Sequence, residues 1–300
     1  MSKCRMALLP DRGVLAITGE DREKLVQGIV TNDLVRLETE RALHTGLLSP
    51  QGKILFDFFV VRTTDALLIE TARASVAALK QRLDMYRLRA KADVADVSGR
   101  YTVVVCWGGP HAPDHEGSPT VGFSDPRHPE LGTRHLASLE SEWNCDAEGA
   151  EAATQDDYHA HRIAIGVPEA GRDFALGDTF PHEALYDQTR SVSFTKGCYV
   201  GQEVVSRMQH RATARKRVVP VVSSSALPEP GSAIRAGDVT IGTLGSVAGT
   251  RALAMLRLDR VAEFRNKGIA ITAGSAPIEI KLPDWVTFPL VPPDAAGTAS

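Results

Sequence analysis

The chain has 300 residues, a formal net charge of −3, 43% hydrophobic residues and 24% charged residues. This length is enough for one large domain or for two to three small ones, each with its own hydrophobic core, and the composition is ordinary for a globular protein. The slight negative charge argues against non-specific binding of nucleic acid by the whole molecule.

The N-terminus and the cysteines exclude several classes of protein. The first ten residues contain Lys3 and Arg5 but no long apolar run, so they predict neither a signal peptide nor a transit peptide. No segment approaches the roughly 20 apolar residues of a membrane-spanning helix. The four cysteines are scattered without a Cys-x-x-Cys pair: Cys4, Cys106, Cys145 and Cys198. We therefore expect a cytoplasmic protein without a disulfide framework, a metal site or a resident iron–sulfur cluster.

The first half of the chain mixes strand and helix patterns. A helix is predicted from about Asp21, and a second one over residues 74–89, where apolar residues recur at helical spacing. Residues 108–130 are rich in Gly, Pro, His and Asp, which predicts a loop. Period-two and apolar runs predict strands at residues 13–18, 43–48, 54–62, 66–71, 93–97 and 101–107.

The second half begins with a helix signal at Thr154, with Asp157 in the first turn and Gly166 as the stop. Residues 166–197 show little periodicity, and a long irregular segment is usually functional or disordered. A further helix is expected from about Tyr199. After residue 217, short β-like runs separated by Gly and Pro predict a small β-barrel or meander. Because strands and helices are mixed rather than strictly alternating, the fold class is predicted to be α+β.

One segment has an unusual local chemistry. Lys196 is a cation two residues before Cys198, Gly197 allows a sharp turn, and the expected helix start would place the thiol where the helix dipole favours negative charge. Each of these effects favours the thiolate, the form that attacks or binds metal. We therefore expect Cys198 to be the most reactive of the four thiols. The other three cysteines are interpreted as buried and structural.

The same segment matches the signature of the YgfZ family, K-G-C-[FY]-x-G-Q-E, at every fixed position. The matching residues are Lys196, Gly197, Cys198, Tyr199, Gly201, Gln202 and Glu203. Other stretches also resemble that family, among them Thr31-Asn32-Asp33, Gln51-Gly52-Lys53 and Tyr86-Arg87-Leu88-Arg89. The resemblance covers roughly residues 10–285.

The resemblance implies the three-domain fold of the glycine-cleavage T-protein (GcvT). A folate-binding domain, residues 1–45, would be completed by residues 150–212, with a ferredoxin-like α+β domain inserted over residues 46–149. Residues 213–300 would form a C-terminal β-barrel domain with a frayed tail. The resemblance also implies binding of tetrahydrofolate or a one-carbon derivative, and a role in assembly or repair of [4Fe–4S] enzymes, including radical enzymes that modify tRNA.

Several side chains are candidates for these roles. Cys198, Lys196 and Glu203 are the predicted reactive group and its neighbours in the motif. A folate site needs an aromatic slot, polar groups for the pterin edge and cations for the glutamate tail. The predicted folate contacts are Glu183, Arg207, Tyr158, Asn32 and Arg89. Each has a simpler interpretation as well, such as helix packing for Tyr158 or an i,i+4 pair between Glu203 and Arg207.

Three functions remain open from the sequence. The first is a folate-binding accessory factor that engages iron–sulfur client enzymes or assembly proteins through Cys198, without direct contact to membrane or nucleic acid. The second is a folate-dependent aminomethyltransferase of the T-protein type, which would need Asp57 in the strand after the Gly52 turn. The third is an RNA-binding module that uses the basic run from Arg207 to Arg217, although such a run more often is a solvated linker.

Overall fold

A computed structural model describes residues 3–109, 120–139, 149–211 and 214–290. The chain divides into two compact units. The first comprises Met1–Pro50, Leu55–Tyr158 and Thr189–Val200, and the second comprises Gln51–Ile54, His159–Gln188 and Gly201–Ser300.

The first unit contains two five-stranded sheets. Its strands, in chain order, are β1 (Arg5–Leu8), β2 (Arg12–Thr18), β3 (Ala42–Leu48), β4 (Ile54–Arg62), β5 (Ala66–Ala72), β6 (Asp93–Asp96), β7 (Tyr101–Trp107), β8 (Val121–Ser124), β9 (Thr133–Ser138) and β10 (Glu151–Ala152). One sheet has the strand order β3-β4-β5-β2-β6, and the other has the order β10-β1-β7-β9-β8. The pairs β2–β5 and β1–β7 are antiparallel, whereas β1–β10 is parallel.

Strand alternation distributes the apolar residues of the first sheet over two cores. In β4, Phe58 and Val60 pack in a core with helices α1 (Arg22–Gln27) and α2 (Val76–Arg87). The intervening Phe59 and Val61 face a second core, which the other sheet completes. Because successive strand side chains point to opposite faces, a continuous apolar run here indicates a strand buried on both sides.

The helix α3 (Gln155–Ile165) begins where the sequence predicted. Asp157 N donates to Thr154 Oγ1 at 3.1 Å, and Thr154 N donates to Asp157 Oδ2 at 2.9 Å. This reciprocal capping satisfies backbone donors that the first turn leaves unpaired. In the described part of the chain, no helix is long and apolar enough to cross a membrane.

The second unit contains a seven-stranded antiparallel sheet together with helices α4 (Gln202–Arg211) and α5 (Leu258–Asn266). Its strands are β11 (Lys216–Val222), β12 (Ala233–Ala236), β13 (Val239–Ala248), β14 (Arg251–Arg257), β15 (Ile271–Ala273), β16 (Ala276–Pro277) and β17 (Glu279–Ile280). The order is β16-β15-β12-β13-β14-β11-β17. Val261 and Phe264 of α5 pack into the core of this sheet.

The predicted fold class, α+β, agrees with these sheets, and residues 166–197 form turns rather than helices or strands. The loop predicted over residues 108–130 is wrong in part, because β8 lies within it. The predicted domain boundary at residue 45 divides a sheet, since β2 pairs with β5 and β6. The predicted helix at Tyr199 begins three residues later, at Gln202.

Candidate functional site

A buried lysine anchors the loop that carries the cysteine motif. Lys196 is 6% exposed, and its Nζ donates to the backbone carbonyls of Gln27 and Val30 at 2.7 Å and of Asn32 at 2.8 Å. Burial lowers the pKa of Lys196 to about 8, while the carboxylate of Asp33 acts in the opposite direction. The group is therefore an ammonium at neutral pH, and its three N–H donors match the three carbonyls.

The loop that carries the cysteine motif has both buried and exposed side chains. Lys196 and Tyr199 point into the protein, and burial raises the pKa of the Tyr199 phenol to about 12. Phe194, which precedes Lys196, and Cys198, which lies between Lys196 and Tyr199, are exposed. The loop thus presents a thiol and an aromatic ring to solvent while two buried side chains fix its backbone.

The helix start does not lie where the sequence predicted it, and this changes the surroundings of the thiol. Cys198 lies four residues before Gln202, the first residue of α4, and hence outside the first helical turn. The glycine that the backbone requires is Gly201, with φ of +83°, rather than Gly197. A Cβ atom at Gly197 would meet nothing within 4 Å, so packing within the chain does not require glycine there.

Three charged residues of the predicted site are exposed. Glu203, in the first turn of α4, accepts from Arg207 at 2.7 Å, the i,i+4 pair that the sequence spacing predicts. Arg89 follows the end of α2 and is also exposed. In this geometry the three side chains lie at the surface, where they are accessible to a ligand or a partner.

Glu183 lies half-buried in the irregular segment. Its Oε2 accepts from the backbone N–H of Phe180 at 2.8 Å, and its carbonyl oxygen accepts from Val218 N at 2.8 Å. The first bond caps a local turn, and the second ties the segment to β11. The carboxylate is therefore held in a fixed orientation by its own unit.

Two predicted folate contacts lie inside the core. Tyr158 is 1% exposed, its ring packs edge-on against Trp107, and its hydroxyl accepts from Arg134 at 3.2 Å. Asn32 is fully buried, and its Nδ2 donates to the carbonyls of His44 and Arg190 at 2.9 and 2.7 Å. Both side chains have structural roles, and contact with folate would require each to give up these partners.

Asp57, the residue on which an aminomethyltransferase would depend, belongs to a buried polar chain. Its Oδ2 lies 3.1 Å from His44 Nε2, and His44 Nδ1 lies 2.7 Å from Ser191 Oγ. The hydroxyl of Ser191 is in turn 2.7 Å from that of Thr189. This series of polar contacts links β3 and β4 to the segment that leads into the cysteine motif.

Two buried ion-pair networks were not predicted from the sequence. In the first unit, Glu70 joins Arg12 and Arg134, and in the second unit Asp173 pairs with Arg162 at 2.6 Å. The signal for the first network was present in the sequence, because Glu70 is the one charged residue in the strand β5 and follows four apolar residues. A lone charge in such a strand is expensive to bury without a partner, which indicates a paired group.

The exposed position of Cys198 leads to a direct prediction. In the native protein, iodoacetamide should modify Cys198 at least about tenfold faster than Cys4 or Cys106, because both of these are buried and burial raises the pKa of Cys4. Mass spectrometry of the peptides would give the rates, and urea should remove the difference. Equal slow rates at all three thiols would contradict it. Cys145 lies outside the described residues.

Comparisons with known proteins bear on the fold and on the protein's relatives. Residues 215–288 match the family model of the CAF17 C-terminal β-barrel domain. The chain is 33% identical to an iron–sulfur cluster assembly factor IBA57 homologue, mitochondrial, from Mycosarcoma maydis, over 73% of this chain and 57% of that protein. It is 28% identical to mitochondrial IBA57 from Homo sapiens, over 92% of this chain and 84% of that protein. The chain spans little more than half the length of the first curated relatives it matches.

The fold is that of an aminomethyltransferase. The glycine cleavage system aminomethyltransferase T from Bartonella henselae superposes with a TM-score of 0.76 and 13% identity, over 95% of this chain and 87% of that chain. The predicted T-protein-like α+β fold with a C-terminal β-barrel is therefore confirmed.

Two expectations change with these relatives. They are IBA57 proteins, related to the YgfZ family but distinct from it. They are also mitochondrial, which overturns the expected cytoplasmic location. The chain thus combines the fold of the glycine-cleavage T-protein with a CAF17-type β-barrel, and it is similar in sequence to the IBA57 iron–sulfur cluster assembly factors.

Proposed function

We propose that this chain assists the assembly or repair of [4Fe–4S] enzymes and that Cys198 is the group through which it acts. The observation that carries the proposal is an exposed thiol on a loop whose neighbouring residues, Lys196 and Tyr199, are buried. The similarity to proteins named as iron–sulfur cluster assembly factors supports it. The partners would be client enzymes, among them radical enzymes that modify tRNA, or proteins of the assembly machinery.

The chemistry required of Cys198 is modest. On losing its proton to solvent, the thiolate can donate an electron pair to iron of the cluster that is being delivered, which is cargo here. Lys196 is a positioning residue in this scheme, since its ammonium is bound by three carbonyls of the chain. Glu203 stands at the surface of α4 and suits a contact with a partner. The open space at Gly197 and the exposed ring of Phe194 suit the approach of a partner surface.

The proposed ligand is tetrahydrofolate or a one-carbon derivative. The T-protein-like fold and the motif resemblance support it, but Tyr158 and Asn32 do not fit as contacts while they hold their core partners. Within the second unit, the carboxylate of Glu183 suits the pterin edge and the guanidinium of Arg207 suits the carboxylates of the tail. Calorimetric titration of the full chain with tetrahydrofolate tests it, and no binding at millimolar ligand would remove folate from the proposal.

The second candidate function is a folate-dependent aminomethyltransferase, which the fold and the His44–Asp57 contact favour. The two functions predict opposite results for Asp57→Asn. An assembly factor carrying this substitution should still restore [4Fe–4S] enzyme activity in cells that lack their own factor. An aminomethyltransferase should lose its activity in a glycine-cleavage assay, since the isosteric amide cannot accept a proton. Glycine-cleavage activity in the wild type, lost in Asp57→Asn, without rescue of [4Fe–4S] enzymes, would overturn the assembly role.

A further inference from the structure

A second candidate site lies in the first unit. A cavity of about 590 Å³ is bounded by residues 40–42, residues 122–129 and Arg190. None of these residues has a part in the proposed function. The charged groups of the lining are three arginines, Arg41, Arg127 and Arg190, and two carboxylates, Glu40 and Asp125.

A series of buried ion pairs leads to the lining of this cavity. Glu70 accepts from Arg12 at 2.7 Å and from Arg134 Nε at 2.9 Å, and Arg134 lies 3.6 Å from Asp125. Asp125 in turn accepts from Arg127 at 3.0 and 2.7 Å. Among these five side chains the two carboxylates alternate with the three arginines, and Arg127 lies in the cavity lining.

The solvent side is also rich in guanidinium groups. Glu40 accepts from Arg36 at 3.1 and 2.9 Å and from Arg190 at 2.8 Å. Arg41 is exposed beside it. Both carboxylates of the lining are thus shared with an arginine from outside the lining, Arg36 or Arg134. The lining therefore brings three guanidinium groups together, although the molecule as a whole has a net charge of −3.

The backbone of Arg190 is held in an unfavourable conformation. Its φ is +57°, in the left-handed region that residues with a Cβ seldom occupy. The carbonyl of Arg190 accepts from Asn32 Nδ2 at 2.7 Å and from Arg36 at 3.1 Å, and Asn32 is itself fixed on the His44 carbonyl. Strain of this kind persists where surrounding contacts impose it, and it concentrates at ligand sites. Here it fixes an arginine, rather than a glycine, at the cavity.

We propose that this cavity binds a small polyanion, with Arg41 and Arg190 at the opening and Arg127 at the buried end. The ligand carries at least two carboxylate or phosphate groups, because the planar guanidinium fork binds either group through two parallel hydrogen bonds. Arg127 is held flat by Asp125, and Arg127 and Arg134 lie over the ring of Phe59 at 4.9 and 4.6 Å. This buried floor provides a fixed charge, whereas the two exposed arginines can close on the ligand.

The test is calorimetry of the full chain at low ionic strength, with pyrophosphate in one arm and citrate in the other. Arg190→Gly removes the guanidinium and relieves the positive φ, so it should fold well, and Arg41→Gln removes the other exposed charge. Each should weaken binding at least about tenfold, the loss expected for one charge-assisted bidentate contact. The matched control is Arg235→Gln, an exposed arginine on β12, which should bind like the wild type.

The two titrations distinguish a phosphorylated ligand from a polycarboxylate. Binding of pyrophosphate alone identifies a phosphorylated ligand, binding of citrate alone identifies a polycarboxylate, and binding of both supports the shared chemistry. If neither pyrophosphate nor citrate gives a heat of binding at about 10 mM anion, the proposal is overturned. Equal affinity of the wild type, Arg190→Gly and Arg41→Gln also overturns it, because the anion then binds elsewhere. Circular dichroism of each variant confirms that the fold is intact.

Discussion

Replacing Glu70 by alanine is expected to lower the free energy of unfolding of the first unit by about 3–5 kcal/mol. Glu70 is fully buried and is the carboxylate that Arg12 and Arg134 share. Its removal would leave two guanidinium groups in the core without their main counter-charge, and a buried unpaired charge costs more than the pair contributes. Urea unfolding followed by circular dichroism measures the change.

Two further variants make this prediction specific. Glu70→Gln keeps the shape but not the charge, and it should be nearly as destabilising. Glu20→Ala removes an exposed partner of Lys91 and should change stability by less than about 0.5 kcal/mol. If Glu70→Ala unfolds as readily as Glu20→Ala, the buried network contributes nothing.

The effect of Glu70 should depend on pH in a defined direction. Burial acts to raise the pKa of Glu70, but Arg134 and Arg12 hold it below its ordinary value of 4.5. Because the folded-state pKa is the lower one, the stabilisation is complete above the unfolded value and is lost as the pH falls through the folded value. The difference between wild type and Glu70→Gln should therefore shrink in acid, below about pH 4.5.

Replacing Lys196 by methionine is expected to destabilise the first unit by about 2–4 kcal/mol. Methionine has a similar length and no charge, so it fills the space but leaves the carbonyls of Gln27, Val30 and Asn32 without their ammonium donor. When a buried acceptor loses its donor, the full desolvation free energy of that acceptor is lost from the stability of the folded state. Hydrogen exchange should rise across residues 193–200, because the anchor of the loop is lost.

The matched control is Lys24→Met, which replaces an exposed lysine on α1. It should change the free energy of unfolding by less than about 0.5 kcal/mol and leave the exchange of the loop unaltered. Unchanged exchange over residues 193–200 in Lys196→Met would mean that Lys196 does not position the loop that carries Cys198.

Local patterns predicted much of the first unit. The apolar residues of β4 predicted a strand, and Thr154 with Asp157 predicted the start of α3, because both signals act between residues near in the chain. The strands β1, β8 and β9 were not predicted. β1 and β8 have only four residues each, and the antiparallel partner of β1, β7, lies far along the chain.

The roles of the candidate site residues depended on long-range contacts, which the sequence does not contain. Lys196 was interpreted as a cation that activates the thiol, yet its partners lie 164 to 169 residues earlier in the chain. Tyr158 was interpreted as a stacking surface, but Trp107 and Arg134 enclose it. The exposure of Cys198, by contrast, agrees with the expected reactive thiol, and its reactivity stays a prediction.

The measurement that tests the proposed function most directly is the activity of a [4Fe–4S] enzyme in cells that lack their own assembly factor and carry either the wild-type chain or Cys198→Ala. Cys198 is exposed, so the substitution should leave the fold and the free energy of unfolding unchanged within about 0.5 kcal/mol. We expect the wild type to restore the enzyme activity and Cys198→Ala, at equal abundance, to fail. Full restoration by Cys198→Ala would contradict a role for this thiol in iron–sulfur assembly.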